Sequence, residues 1–133
     1  HIFIFLQIFL VTILSYCIPD IIYIFNISIS HSNDKWIEKY GIRLSLLHNQ
    51  AYRNSQELCL TEIEYKILLL LMKYPNKIFS LQNLYESIWE EPFYNKSSNT
   101  IMVHIRNLRI KIEENPQKPK IVQTIWGKGY RLG

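Results

Sequence analysis

Cysteine and histidine are sparse in this chain of 133 residues, and their positions exclude two kinds of site. Cys17 and Cys59 lie far apart and neither belongs to a CxxC motif, so the sequence encodes no disulfide framework and no zinc ribbon. The four histidines show no metal-ligand spacing. Cys59 lies in the apolar run Glu-Leu-Cys-Leu, which predicts a small buried hydrophobic side chain. We therefore expect no metal and no cofactor.

Residues with the pattern of a catalytic site are also lacking. His104 has no Ser or Cys nucleophile with an orienting carboxylate near it in the chain, and Glu113 is more than about two helical turns away. The sequence contains no glycine-rich loop of the kind that cradles a phosphate. We predict that the protein is not an enzyme.

Basic residues are missing from the N-terminal part, where Lys35 is the first. Residues 1–30 are strongly apolar, and the run over 2–18, which Gln7, Thr12 and Ser15 interrupt without a charge, approaches the roughly 20 residues that span a bilayer. All 15 Lys and Arg follow this run, so as a membrane anchor it would leave the remainder in the cytoplasm. However, its composition also fits AT-rich DNA translated outside its frame, and the chain begins with His, as a fragment would. Both interpretations of residues 1–30 remain open.

Residues 31–35 form a polar linker, and residues 36–133 have the pattern of one globular domain. Residues 42–46 alternate between apolar and polar side chains, which predicts a half-buried strand. Two further short strands are predicted over 51–53 and 57–60. This part of the chain is therefore expected to form a small antiparallel sheet.

Two amphipathic helices follow the predicted sheet. Thr61 and Glu64 have the spacing of a capping box, which starts a helix. Its apolar pattern continues until Pro75, which cannot extend a helix. Ser80 is predicted to cap a second helix, whose apolar residues recur with helical spacing up to Trp89.

A third helix is predicted to begin at Ser97 or Ser98 and to end near residue 114. Its apolar residues recur at i, i+4, i+7 and i+11, so we expect them to face the core: Ile101, Ile105, Leu108 and Ile112. The opposite face carries Asn99, Thr100, Val103, His104, Arg106, Asn107, Ile110 and Lys111. Arg109 lies on the flank, beside Met102. A β-hairpin is predicted over 121–126 and 130–132, closed by Gly127-Lys128-Gly129.

Positive charge is concentrated in this last part of the chain. Residues 97–133 contain seven Lys and Arg but only two acids, Glu113 and Glu114. Focused positive charge attracts polyphosphates, and the overall pI of about 9.1 agrees with a nucleic-acid partner.

The outer face of the third helix suits a DNA major groove. Arg and Lys bind phosphates or guanine, Asn pairs with adenine, and Val contacts a thymine methyl. A cationic helix face is usually only a solvated face. However, exposed Val103 and Ile110 do not fit a merely solvated helix, and the adjacent hairpin places a second basic element, Lys128, beside it. Trp126 has two interpretations, core packing or DNA contact. Thr124 and Arg131 have the same two interpretations, because the sequence does not show which face of the hairpin points outward.

The order of elements and three motifs resemble the C-terminal effector domain of OmpR/PhoB-type response regulators. The motifs are LT-x-x-E-Y at 60–65, NT-x-x-VHI-x-x-LR at 99–109 and T-x-x-G-x-G-Y at 124–130. The resemblance covers about residues 36–133 and implies an α+β winged helix-turn-helix. That fold has an N-terminal antiparallel sheet, three helices and a C-terminal β-hairpin wing. It has a fourth strand, which we expect near Phe79 or in the linker.

The resemblance implies a sequence-specific transcriptional regulator that binds double-stranded DNA through the third helix and the wing. Together with the outer helix face, it predicts the DNA-binding residues Asn99, Thr100, Val103, His104, Arg106, Asn107, Arg109, Lys111, Thr124, Trp126 and Lys128. The loop over 90–96 corresponds to the segment that contacts RNA polymerase in activators, although here it has a second interpretation as a plain loop. Intact relatives bind DNA as dimers, and the expected location is the cytoplasm.

Some positions depart from the family pattern. Met102 stands where members often have an acid, Asn107 where they often have a second Arg, and Trp126 where some have an Arg on the wing. Before Lys35 the chain offers too few Asp residues for a receiver domain. We therefore expect the effector part of a two-component, phosphorelay-type regulator without its receiver. The alternative is a winged helix used for protein contacts, membrane-tethered or not, without affinity for DNA.

Overall fold

The computed structural model describes residues 34–94 and 97–133, and residues 35–133 form a compact unit. The apolar segment 1–30, with its predicted membrane anchor over 2–18, lies outside the described residues. Among the helices that are described, none is long and apolar enough to cross a membrane.

The unit begins with a four-stranded antiparallel sheet in sequential order. Its strands are β1 (Trp36–Lys39), β2 (Ile42–Ser45), β3 (Gln50–Arg53) and β4 (Gln56–Glu57). In β2, Ile42 and Leu44 are buried while Arg43 between them is exposed, as the alternation predicted. The strand that the pattern alone did not locate is β1, and it follows the linker directly.

The last strand of this sheet was predicted over 57–60, but in the structure β4 covers only Gln56–Glu57. Leu58 and Leu60 pack partly buried against the core, but Cys59 is exposed. The prediction of a buried Cys59 was wrong, because the leucines on both sides of it face the core and the side chain of Cys59 lies on the outside. Its backbone φ is positive, +46°. The carbonyl of Cys59 accepts a hydrogen bond from Lys111 Nζ at 3.2 Å.

The caps of the first two helices are confirmed. Helix α1 (Glu62–Lys73) begins with the predicted capping box, in which Thr61 Oγ1 accepts from the Glu64 amide and Glu64 Oε2 accepts from the Thr61 amide. Helix α2 (Leu81–Trp89) begins after Ser80, whose Oγ accepts from the Asn83 amide at 3.0 Å. These bonds satisfy amides that have no partner inside the helix.

Helix α3 (Ser97–Ile112) lies on the core formed by the sheet and the first two helices. The predicted core stripe is confirmed, because each member is 0% exposed: Ile101, Ile105, Leu108 and Ile112. The helix ends before the predicted residue 114. Glu113 instead turns its carboxylate to the next segment, where it accepts from the backbone amides of Lys120 at 3.1 Å and Ile121 at 2.6 Å.

The chain ends in a two-stranded hairpin, the wing, formed by β5 (Val122–Ile125) and β6 (Gly129–Leu132). The wing is fixed to the turn between α1 and α2 by two hydrogen bonds, in which the amides of Phe79 and Tyr130 each donate to the other's carbonyl at 2.8 Å. The predicted α+β winged helix-turn-helix is therefore confirmed.

Candidate nucleic-acid interface

One face of α3 and the adjacent wing form an open groove of about 420 Å³. It is lined by Asn99, Met102, Val103, Ile105, Arg106, Arg109 and Tyr130. No carboxylate belongs to this lining, whereas two guanidinium groups do. A cationic groove between a helix and a hairpin attracts an anionic partner.

The exposed side chains of α3 are of mixed character. Most of the predicted DNA-binding positions of this helix are exposed to solvent: Asn99, Thr100, Val103, Arg106 and Asn107. Aliphatic side chains lie among them, with Val103 55% exposed and Ile110 58% exposed. Amide, cationic and aliphatic groups side by side match the donors, acceptors and methyl groups on base edges.

His104 lies at the edge of this face and is half-buried. Its ring centroid is 5.8 Å from that of Trp89, which stacks on Tyr85 at 4.8 Å. Phe93 packs edge-on against Tyr85. An aromatic row thus connects α3 through α2 to the beginning of the loop over 90–96, in which the exposed Tyr94 is also described.

Lys111 is occupied by acceptors of the protein itself. Its Nζ lies 2.7 Å from Glu64 Oε2 and also donates to the carbonyl of Cys59. Glu64 is only 2% exposed, and a carboxylate at that depth requires a cationic or hydrogen-bonding partner. The assignment of Lys111 as a DNA contact stays a prediction, and these bonds explain its position without DNA.

Arg109 points to the wing. Its Nε and one terminal nitrogen donate to the carbonyl of Val122 at 3.1 and 2.8 Å, and the same terminal nitrogen donates to Thr124 Oγ1 at 2.9 Å. The guanidinium carbon lies 5.6 Å from the centre of the Tyr130 ring. Burial lowers the pKa of Arg109 below its ordinary value, and the charges of Tyr130 and Glu113 oppose that change. Arginine remains a cation under such conditions.

The tip of the wing carries Trp126 and Lys128, which are both exposed. Trp126 is 91% exposed, so the interpretation that it packs in the core is wrong. Thr124 is exposed as well and faces Arg109, while Arg131 on β6 is partly exposed. The indole of Trp126 is therefore accessible to a partner, and its assignment as a DNA contact stays a prediction.

Three residues that line the groove were not predicted as site residues, and one of them, Ile105, was predicted to face the core. Met102 was noted only as a departure from the family, and Tyr130 only as part of a motif. Met102 could have been identified from its position four residues before Arg106, because side chains at that spacing lie on the same side of a helix. In the described ranges 34–94 and 97–133, no three His, Cys, Asp or Glu side chains lie close enough to hold a metal.

Residues 55–132 match the family described as "Transcriptional regulatory protein, C terminal". Among relatives, the uncharacterized transcriptional regulatory protein YrkP of Bacillus subtilis is 49% identical over 92 residues, which are 69% of this chain and 40% of that protein. The chain therefore spans less than half of this relative's length.

Solved structures agree with the observed fold. The response regulator DrrB, described as a Thermotoga maritima OmpR/PhoB homolog, is 25% identical and has a TM-score of 0.65, over 73% of this chain and 43% of that chain. The DNA-binding domain of the response regulator AdeR, solved in complex with an intercistronic region, is 27% identical and has a TM-score of 0.60, over 72% of this chain and 96% of that chain.

Proposed function

Because this chain belongs to the family of C-terminal domains of OmpR/PhoB-type transcriptional regulators, we propose that residues 36–133 bind double-stranded DNA sequence-specifically. In this role they form the effector part of a two-component response regulator. The family comprises transcription regulators rather than enzymes. The observation that carries the proposal is the groove between α3 and the wing, which is lined by two arginines and no carboxylate.

In the proposed complex α3 enters the major groove and the wing lies on the DNA beside it. The exposed Asn107 and Val103 reach base edges, and Arg106 reaches a phosphate. The wing tip brings Trp126 and Lys128 to the flanking backbone and groove. Phosphate contacts set the position of the protein, and base contacts select the sequence.

The dependence of affinity on salt tests this function. We expect the full chain to bind duplexes selected from a randomised pool, with log K falling against log salt with a slope of about −3 or steeper, because at least three phosphates lose counterions. Lys128→Ala should make the slope less steep by about one. Lys66→Ala serves as the matched control, because Lys66 pairs with Glu62 on α1 at 2.9 Å, and it should leave the slope unchanged. A slope near zero would favour the alternative, a winged helix that contacts only proteins.

Asn107 and Arg106 are expected to affect binding in different ways. Asn107→Ala should cost about 1–3 kcal/mol on the selected sequence and relax the preference at one base pair, because an amide pairs with a single base. Arg106→Ala should weaken binding to all sequences alike and reduce the salt slope by about one, because a phosphate is the same at every position. Binding measured on a panel of single-base variants of the duplex checks both. If Arg106→Ala changed the sequence preference and Asn107→Ala did not, the two roles would be reversed.

Two further contacts and a location belong to the same proposal. The loop over 90–96, with the exposed Tyr94, contacts RNA polymerase when the protein acts as an activator. Two copies bind adjacent half-sites, as the resemblance to intact regulators implies. The protein performs this role on DNA in the cytoplasm, and anchoring by residues 2–18 stays a prediction.

A further inference from the structure

Arg109 contacts both strands of the wing from a position on α3. Its donors reach Val122 and Thr124 on β5, and its guanidinium lies against the Tyr130 ring on β6. A two-stranded hairpin is only marginally stable by itself, so its position depends on such contacts. The bonds of Phe79 with Tyr130 fix β6 to the turn before α2, but they do not connect the wing to α3.

We infer that Arg109 is a positioning residue, which sets the distance and angle between α3 and the wing and so determines where the wing tip meets DNA. The effect of Arg109 on DNA binding rests on the proposed function, but its effect on the position of the wing can be measured without DNA. This positioning role differs from the sequence prediction that Arg109 contacts DNA directly. The arginine acts through the wing and needs no contact with DNA itself.

The hydrogen bonds of Arg109 explain why arginine is required there. Nε and one terminal nitrogen both donate to Val122, and that terminal nitrogen also donates to Thr124. A planar fork holds two acceptors at a fixed angle, whereas a lysine ammonium is a flexible point charge. Lysine at position 109 would keep the charge but lose the geometry. A phosphate contact needs mainly the charge, so Arg109→Lys distinguishes the two roles.

Hydrogen exchange of the full chain without DNA tests the structural part. In Arg109→Lys we expect the amides of β5 and β6 to exchange roughly tenfold faster than in the wild type, because a charge-assisted hydrogen bond is lost. Amides in the middle of α1 should keep their protection. Thr124→Val removes a single acceptor and should give a smaller increase in the same amides. Arg106→Lys is the matched control, since Arg106 is exposed on the same helix, and it should leave the wing unchanged.

Binding to the selected duplex tests the consequence. Arg109→Lys should weaken binding about as much as Arg109→Ala, whereas the control Lys66→Ala on α1, whose side chain pairs with Glu62, should keep the wild-type affinity. In the Lys128→Ala background the loss caused by Arg109→Ala should shrink, because both changes remove the same wing contact. A phosphate contact would instead give additive losses and a retained affinity in Arg109→Lys.

The outcomes separate this inference from the proposed function. Unchanged exchange in the wing of Arg109→Lys overturns the positioning role, whatever the DNA result. A wild-type chain that binds no duplex contradicts the proposed function, while faster exchange in the wing still supports the role of Arg109. Faster exchange together with non-additive binding supports both.

Discussion

Replacement of Leu108 by alanine is expected to lower the free energy of unfolding by roughly 2–5 kcal/mol, the range for deleting a buried leucine. Leu108 is 0% exposed on the inner face of α3, and the truncation leaves a cavity that close-packed neighbours fill only in part. Chemical denaturation monitored by circular dichroism measures the loss. The effect is large because domains of this size are stable by only about 5–15 kcal/mol.

Ile110 provides the matched control for Leu108. It lies two positions further along the same helix and is 58% exposed. Ile110→Ala therefore removes a similar side-chain volume, but from the surface of the protein rather than from its core. Its cost should stay within about 0.5 kcal/mol, as for most surface changes. Equal losses in the two variants, or the larger loss at Ile110, would mean that the inward face of α3 is assigned incorrectly.

The contrast between Leu108 and Ile110 shows which part of the fold the sequence predicts well. A periodic apolar stripe depends only on residues close together in the chain, because side chains at i, i+3, i+4 and i+7 lie on one side of a helix whatever it packs against. The same holds for the capping box of Thr61 and Glu64, whose two hydrogen bonds join residues three positions apart. These local features were predicted correctly.

Contacts between distant residues could not be predicted in this way. Helical periodicity placed Arg109 on a flank and Lys111 on the outer face, but their bonding partners lie on other elements, Val122 and Glu64. Both cations were therefore predicted to bind DNA, and both already have protein acceptors in the structure. The exposure of Cys59 was missed for a different reason, because an apolar run does not show which of its side chains face inward; here Leu58 and Leu60 do and Cys59 does not.

The wing illustrates the same limit. The Gly127-Lys128-Gly129 turn marks a hairpin from local sequence alone, and Trp126 and Lys128 follow as candidates for its tip. Where the hairpin lies is decided by the Phe79–Tyr130 pair and by Arg109. A sequence motif therefore identified the candidate site residues, while tertiary contacts decide which of them face the groove.

At Gly129 the backbone of Phe79 lies too close to leave room for a side chain. Replacement of Gly129 by alanine is therefore expected to be among the most damaging changes in the wing. A Cβ at Gly129 would lie 2.0 Å from the Phe79 carbonyl oxygen, at a backbone φ of +139° that L-residues rarely adopt. The hairpin must then move away from Phe79 and give up the two bonds of the Phe79–Tyr130 pair. Strain and lost bonds together should cost roughly 3–5 kcal/mol.

Gly127 separates strain from the loss of contact, because it also has a positive φ, +73°, but a Cβ there would meet nothing within 4 Å. Gly127→Ala should therefore cost only the left-handed conformation, about 1–2 kcal/mol. In hydrogen exchange, Gly129→Ala should expose the amides of Phe79 and Tyr130, whereas Gly127→Ala should leave them protected. Under the proposed function, Gly129→Ala should also lose the wing's share of DNA affinity and resemble Lys128→Ala in its salt slope. Equal stability of the two glycine variants, with equal protection of the Phe79 and Tyr130 amides, would mean that the Phe79–Tyr130 hydrogen bonds do not hold the wing in place. Arg109 would then be the contact that does.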